Sequence, residues 1–402
     1  MFRKCALAIV LVLLSQLIVT TFFAFDTVRV SKASGTSSTG GVVFSVYNSE
    51  DVPALATQYR LSTVRGLFTL NTYWAAIPDG TTPDAVAANL SGDYRVDTAS
   101  ADYSMGLVEN SAYFNQDAAS FRFDPATGTN LTTDTGYSTA QNQWAWQKTN
   151  LGRAQYFSRG QGVTVAVLDT GVDFNHPDLK SHTLPGFDAF GTYPDGRDVQ
   201  GHGTFVAGII AQIAPDATIL PVRVLDANGL GTVDTVMDGL QYALDHGAKV
   251  ANLSLSSNMD SSTLHKLIQS ARSKGMTVIS AAGNDNSGAK YFPAAYGENI
   301  GISATDSRDY RADFANWQSY MQLSAPGVDI YSTWIGGGYG WASGTSFSTP
   351  IATGAATLIR SHYPAYSPDK VRDTLKNAVD KFGSGCKCGG MGAGRLNFSK
   401  IK

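Results

Sequence analysis

At 402 residues, with 43% hydrophobic and 16% charged side chains, the chain has apolar material for two packed domains and is not compositionally disordered. A formal net charge of -3, with no long like-charge run, excludes the basic surface that nucleic-acid binding requires. Only three cysteines occur, one of them at position 5, which excludes a disulfide framework.

Arg3 and Lys4 precede an apolar run over residues 6–14, the arrangement of an export signal, so residues 1–25 are expected to be a signal peptide. The run continues to Phe25 and the small-residue cleavage pattern near Ala24 is poor, which leaves an uncleaved membrane anchor through residues 6–25 as the alternative. Either reading makes the protein secreted or extracytoplasmic. Residues 26–41, rich in Ser, Thr and Gly, read as a flexible lead.

Periodicity then predicts a strand over 42–47, an amphipathic helix over 51–59 and strands over 61–67 and 71–77. Thr82-Pro83-Asp84 opens a helix through Leu90, and 94–99 reads as a closing strand. This βαββαβ order within residues 42–105 is a small α+β, ferredoxin-like pattern. Residues 106–143 have little periodicity and read as a linker.

In residues 144–402 strands and helices alternate from Gln161 onward. Strands are expected over 163–168, 218–225, 250–255 and 276–281, and helices over 202–213, 233–246 and 262–274. That alternation predicts an α/β fold, a mostly parallel sheet with helices on both faces. Ligands of such sheets lie at the carboxyl ends of strands, where Asp169 and Asn284 fall.

Three glycine-flanked patches follow one another in this unit: Asp169-Thr170-Gly171, Gly201-His202-Gly203-Thr204 and Gly344-Thr345-Ser346. A carboxylate, an imidazole and a hydroxyl are the groups that make a serine nucleophilic near neutral pH. Ser346 is followed by Pro350 and a run of small residues that reads as a helix with Pro in its first turn, placing the hydroxyl at a positive helix end. Gly203 and Gly354 are expected to permit close helix packing.

These blocks, with Ala281-Ala282-Gly283-Asn284, resemble the signature blocks of the subtilisin-like (subtilase) serine peptidases over roughly residues 144–398. The resemblance implies a serine endopeptidase in which Ser346 forms an acyl-enzyme, His202 is general base and acid, Asp169 orients it, and Asn284 donates to the oxyanion. It implies extended polypeptide substrates, with Ser254-Leu255-Ser256, Ala282 and Gly283 as pocket walls. Tyr291 stands where many relatives carry a small residue, which implies a shortened pocket that disfavours aromatic P1 side chains. Residues 42–105 are similar to the family's propeptide, implying that the module is a partner of its own peptidase unit, with maturation after the closing strand, near Met105, or farther along the 106–143 linker; a retained accessory domain is the alternative.

Two departures, Phe205 where many relatives have His and Ser348 where Ala is usual, read as packing variation. The chemistry needs no cofactor, and no catalytic metal is expected. Residues 208–220 lack the inserted loop of calcium-binding relatives, so a structural calcium there is not expected. Asp306, Asp309 and Asp313 read as a solvated surface or a weak cation site. Cys386 and Cys388 read as a local disulfide or two thiols. His176, His182, His246, His265 and His362 have no partner pattern and read as surface or turn residues.

Two other functions fit parts of the sequence. An exported binding protein that kept the fold without the chemistry is one. An aspartic peptidase is the other, from the triplets Asp134-Thr135-Gly136 and Asp169-Thr170-Gly171, but no apolar strand precedes the first triplet and the unit is α/β.

Overall fold

The computed structural model describes residues 38–69, 71–107, 121–123 and 142–402. The expected signal or anchor, most of the flexible lead and most of the linker lie outside the described residues. Among the described residues no helix is long and apolar enough to cross a membrane.

The N-terminal unit contains β1 (Ser38–Val46), α1 (Val52–Gln58), β2 (Ser62–Gly66), β3 (Thr72–Ala76), α2 (Pro83–Ser91) and β4 (Val96–Leu107), its strands ordered β4-β1-β3-β2. Thr82 caps α2, its hydroxyl accepting the Ala85 N–H at 3.3 Å, and Pro83 takes the first helical position, where no N–H is needed. Strand β1 is buried on both faces. Val42, Phe44 and Val46 pack with Leu55, Val86 and Leu90 of the two helices, whereas Val43 joins a core shared with the larger unit.

The chain continues through β5 (Phe121–Phe123), α3 (Trp144–Thr149), α4 (Leu151–Phe157), β6 (Thr164–Asp169), β7 (Phe187–Asp188), α5 (His202–Ile213), β8 (Thr218–Arg223), β9 (Leu230–Thr232) and α6 (Val233–Asp245). It then forms β10 (Val250–Leu253), β11 (Leu255–Ser256), α7 (Ser262–Ser273), β12 (Thr277–Ala281), β13 (Ile300–Thr305), β14 (Leu323–Pro326), β15 (Ile330–Trp334) and β16 (Gly338–Ala342). The last elements are α8 (Thr345–His362), α9 (Pro368–Asn377), β17 (Val379–Asp380) and β18 (Arg395–Leu396).

The main sheet has the order β17-β18-β14-β13-β12-β10-β6-β8-β7, and from β14 to β8 every pairing is parallel. Strand β6 shows why its continuous apolar run forms a central strand. Val165 and Val167 enter the core made with α5 and α8, while Ala166 and Leu168 enter the opposite core made with α6 and α7. Burying each such aliphatic side chain contributes roughly 1.5–3 kcal/mol.

Three boundaries differ from the sequence expectation, each for a local reason. The strand expected over 94–99 runs to Leu107, because residues 104–106 pair antiparallel with β9 and residues 106 and 107 with β11. The strand expected over 250–255 is interrupted at Ser254, whose carbonyl and hydroxyl both turn to Ser346. Helix α8 begins at Thr345, so Pro350 lies inside the helix rather than in its first turn.

Candidate active site

Asp169 is the last residue of β6, and His202 is the first residue of α5. Their side chains meet in a fully buried pair, His202 Nδ1 lying 2.8 Å from Asp169 Oδ1. The same oxygen accepts the Thr170 N–H at 2.8 Å. Burial pushes the Asp169 carboxyl above its ordinary value, while the charge and hydrogen bond of His202 pull it back. A carboxylate can only accept, so it selects the imidazole tautomer with its proton on Nδ1 and leaves Nε2 as the basic nitrogen.

Close approach at this junction depends on Gly203. A Cβ there would lie 2.0 Å from the Gly171 carbonyl oxygen and 3.1 Å from the Asp169 Cβ. Gly203 therefore brings α5 onto the loop after β6, not against another helix as expected from the sequence. Gly354 does serve helix packing, since a Cβ on it would meet Ile213 of α5 at 2.6 Å.

Ser346 is the second residue of α8 and is fully buried. Its Oγ donates to the Ser254 carbonyl at 3.1 Å, and the Ser254 hydroxyl donates to the Ser346 carbonyl at 2.8 Å. The second bond has a cause in the sequence. Pro350 lacks the N–H that would close the helical hydrogen bond to residue 346, and Ser254 supplies the missing donor. Ser254 is held in turn by the Asn252 amide at 2.9 Å, and Asn252 by the Thr353 hydroxyl at 2.8 Å. The next residue, Phe347, lies against the His202 ring with centroids 5.4 Å apart, and Phe205 packs on Phe347 at 4.7 Å.

Asn284 follows the end of β12 by three residues. Its side-chain oxygen accepts both the Thr345 N–H and the Thr345 hydroxyl at 2.9 Å, which directs the amide N–H2 to the other side of the group. Thr345 Oγ1 also accepts the Gly283 N–H at 3.1 Å, tying the Ala282-Gly283-Asn284 segment to the start of α8.

Ser254, Leu255 and Ser256 border a cleft between β11 and β9 that is occupied by the chain's own β4. Leu107 pairs with Leu255, Gly106 with both Ser256 and Leu230, and Met105 with Gly231. The Leu107 N–H also donates to the Gly229 carbonyl at 3.0 Å. Tyr291 lies by Gly283, whose Cβ would meet its Cδ1 at 3.3 Å. Burial and a hydrogen bond to Asp285 raise the Tyr291 phenol above its ordinary value, so it stays a neutral donor.

Asp198 was not among the residues singled out from sequence, yet it organises the site. Its Oδ1 accepts the Thr170 hydroxyl and the Gln200 and Gly201 N–H groups, each at 2.9 Å, and its Oδ2 accepts the Thr204 N–H at 2.9 Å and hydroxyl at 2.6 Å. One carboxylate thereby joins the residue after Asp169 to the first turn of the His202 helix. An Asp a few residues before a helix start was the available signal.

The histidine expectation needs correction at two positions. His176 is fully buried, its Nε2 3.0 Å from the Gly338 carbonyl and its Nδ1 accepting the Asp178 N–H at 3.2 Å, and His265 is paired with Glu298 at 2.8 Å. Ser348 is more than packing variation, since its hydroxyl donates toward the Ala325 and Pro326 carbonyls at 3.1 and 3.0 Å. Cys386 and Cys388 are joined in a local disulfide. Asp306 is paired with Arg308 at 2.7 Å, and Asp309 with Lys148 at 3.1 Å and Arg395 at 2.6 Å. No cluster of metal-binding side chains occurs among the described residues.

The sequence model of the Subtilase family matches residues 160–394, the segment that carries Asp169, His202, Asn284 and Ser346. The chain belongs to the subtilase family. This subtilase is 40% identical over 238 residues to subtilisin Savinase of Lederbergia lenta, a match covering 56% of the chain and 86% of that protein. It is also 40% identical over 238 residues to an alkaline protease of Alkalihalobacillus alcalophilus, of which it spans 61%. Among solved structures, fervidolysin of Fervidobacterium pennivorans, described as a keratinolytic enzyme related to subtilisin, superposes with a TM-score of 0.75. That match covers 92% of this chain and 61% of fervidolysin at 23% identity, and so speaks to the fold.

Proposed function

We propose that this subtilase is an exported serine endopeptidase in which Ser346 is the nucleophile, His202 the general base and acid, Asp169 its orienting carboxylate and Asn284 an oxyanion donor. The observation that carries the reading is the fully buried 2.8 Å Asp169–His202 pair beside the α8 start that bears Ser346. In the first step the Ser346 oxygen attacks the substrate carbonyl while its proton passes to His202 Nε2. The imidazolium then protonates the leaving amine, and a water molecule, deprotonated by the same imidazole, releases the acid. The start of α8 favours the negative charge that develops there.

Substrate binds as an added strand between β9 and β11, in the manner of β4: main-chain bonds supply affinity and side pockets supply selectivity. Tyr291 shortens the pocket formed with Ala282 and Gly283 and disfavours aromatic P1 residues. The chemistry calls for no cofactor. A structural calcium is not part of this reading, since Asp306 and Asp309 already pair with the chain's own cations.

The N-terminal unit acts as a propeptide whose β4 end blocks the cleft. With Gly106 opposite Ser256 and Leu107 opposite Leu255, a chain extended in this register presents its next residue to Ser254, whose carbonyl lies 3.1 Å from Ser346 Oγ. We therefore place the maturation cut just after β4, beyond Leu107. Hydrolysis of an unstructured protein substrate, lost in Ser346→Ala, tests the enzymatic reading. Persistence of hydrolysis in that variant would overturn it.

A further inference from the structure

The N-terminal unit makes a second contact with the larger unit, through the β2–β3 hairpin. Arg65 on β2 reaches α6, where it is ion-paired with Asp234 and lies 3.6 Å from Asp238. The Phe68 N–H donates to Asp238 Oδ1 at 2.9 Å, and the Phe68 ring meets Phe187 edge-on at 5.3 Å, with Phe187 stacked on Tyr242 at 4.6 Å. Trp74 on β3 lies under the Arg65 guanidinium at 5.4 Å and donates its indole N–H to Asp102 on β4 at 2.9 Å. Asp102 in turn accepts the Asp234 N–H at 3.2 Å, at the start of α6.

One cation thus faces two carboxylates, Asp234 and Asp238. Both carboxylates are buried, at 4% and 7% exposure, while the Arg65 side chain is 46% exposed and shares its charge with water. Docking the hairpin therefore buries more negative charge than it neutralises, and the least costly relief is a proton on one carboxylate.

We propose that the Asp234–Asp238 pair on α6 is a docking surface for the Arg65–Phe68 hairpin of the N-terminal unit, and that a proton on Asp238 tightens the grip. This deepens the propeptide reading and rests on it: acid holds the inhibitor in place, and rising pH loosens it. Desolvation in the docked state pushes the Asp238 carboxyl up to about 6 against the Phe68 N–H and Arg65, with the Asp234 charge adding to the rise. An undocked hairpin exposes Asp238 and returns it toward the ordinary 3.8. The docked state therefore binds the proton more tightly. Its advantage is full below the ordinary value, falls as pH rises through the docked value, and is exhausted above it. The opening equilibrium is expected to rise roughly fiftyfold between about pH 4 and about pH 7.

The test is hydrogen exchange of the full chain carrying Ser346→Ala, which stays uncut whether or not the parent is a peptidase, so failure of the enzymatic reading does not disturb it. Rates are corrected for the intrinsic pH dependence of exchange. Protection of the Phe68 amide and of residues 104–107 should fall roughly fiftyfold from about pH 4 to about pH 7, with β12 unchanged as the folding control. Adding Asp238→Asn, which keeps an acceptor for the Phe68 N–H, should flatten the profile at the high-protection end. Protection that is flat or rises with pH in the Ser346→Ala chain overturns the proposal even if Asp238→Asn fails to fold. So does a well-folded Asp238→Asn chain whose hairpin opens at about pH 7.

Discussion

Ser254 and Ser346 hold each other twice, the hydroxyl of each donating to the carbonyl of the other at 2.8 and 3.1 Å. The arrangement exists because Pro350 leaves the Ser346 carbonyl without its helical donor, and it fixes the proposed nucleophile against the wall of the cleft. Ser254→Ala leaves a buried carbonyl unsatisfied and should cost about 1–3 kcal/mol in urea unfolding, measured in a Ser346→Ala background to prevent self-digestion. Adding Pro350→Ala restores a helical N–H to that carbonyl and should recover part of the loss. Two strictly additive losses would contradict the link between the residues.

Asn284→Ala should lower kcat by about 10²–10³ with little change in KM, because the amide acts on charge that exists only in the transition state. A change confined to KM would remove Asn284 from the oxyanion role.

Tyr291→Gly should raise kcat/KM for substrates with Phe or Tyr at P1 by at least about tenfold relative to Ala or Val at P1, the scale on which pocket volume discriminates apolar groups. A peptide library read out by mass spectrometry checks this. An unaltered P1 profile would show that the ring does not line the pocket.

Gly354→Ala sets two effects against each other. Alanine in a helix interior contributes about 1 kcal/mol relative to glycine, but overpacking costs about 1–3 kcal/mol. The added Cβ would meet Ile213 Cγ2 at 2.6 Å and Cβ at 2.7 Å, and Ile213 is fully buried and has nowhere to move. The clash should win, lowering the urea midpoint. A stabilised variant would contradict the close contact of α5 with α8.

Arg272 donates to Asp369, bracing α7 against α9, and with Arg372 holds the Asp369 carboxyl below its ordinary 3.8. A depressed carboxyl contributes stability that is full above the ordinary value and is lost as pH falls through the folded value. Asp369→Asn should therefore lower Tm at neutral pH, and the gap from the parent should close on acidification below about pH 4. A gap that widens in acid would reverse the sign of the account.

Asp169 and His202 stood out in sequence beside Gly171 and Gly203, whose close backbone approaches leave no room for a Cβ, and helix 202–213 was read to its ends because an unbroken apolar run follows His202. The α/β layering was legible in the continuous apolar strands. What stayed hidden was set by contacts distant in sequence. The closing strand was expected to end at residue 99, yet Ala101, Tyr103, Met105 and Leu107 continue it and are buried because β9 and β11 accept the strand. Pro350 signalled a helix start, and only Ser254, 92 residues from Ser346, makes its interior position affordable. His176 lacked a sequence partner because its partner is the carbonyl of Gly338, 162 residues away.

The central claim is that His202 and Asp169 make the Ser346 oxygen a nucleophile. A fluorophosphonate probe, followed by digestion and mass spectrometry of the processed protein, tests it most directly. The account predicts one adduct on Ser346 in step with complete loss of protein hydrolysis, and labelling slowed by about 10⁴ in Asp169→Asn. Full labelling with hydrolysis intact, or an adduct on another residue, would contradict it.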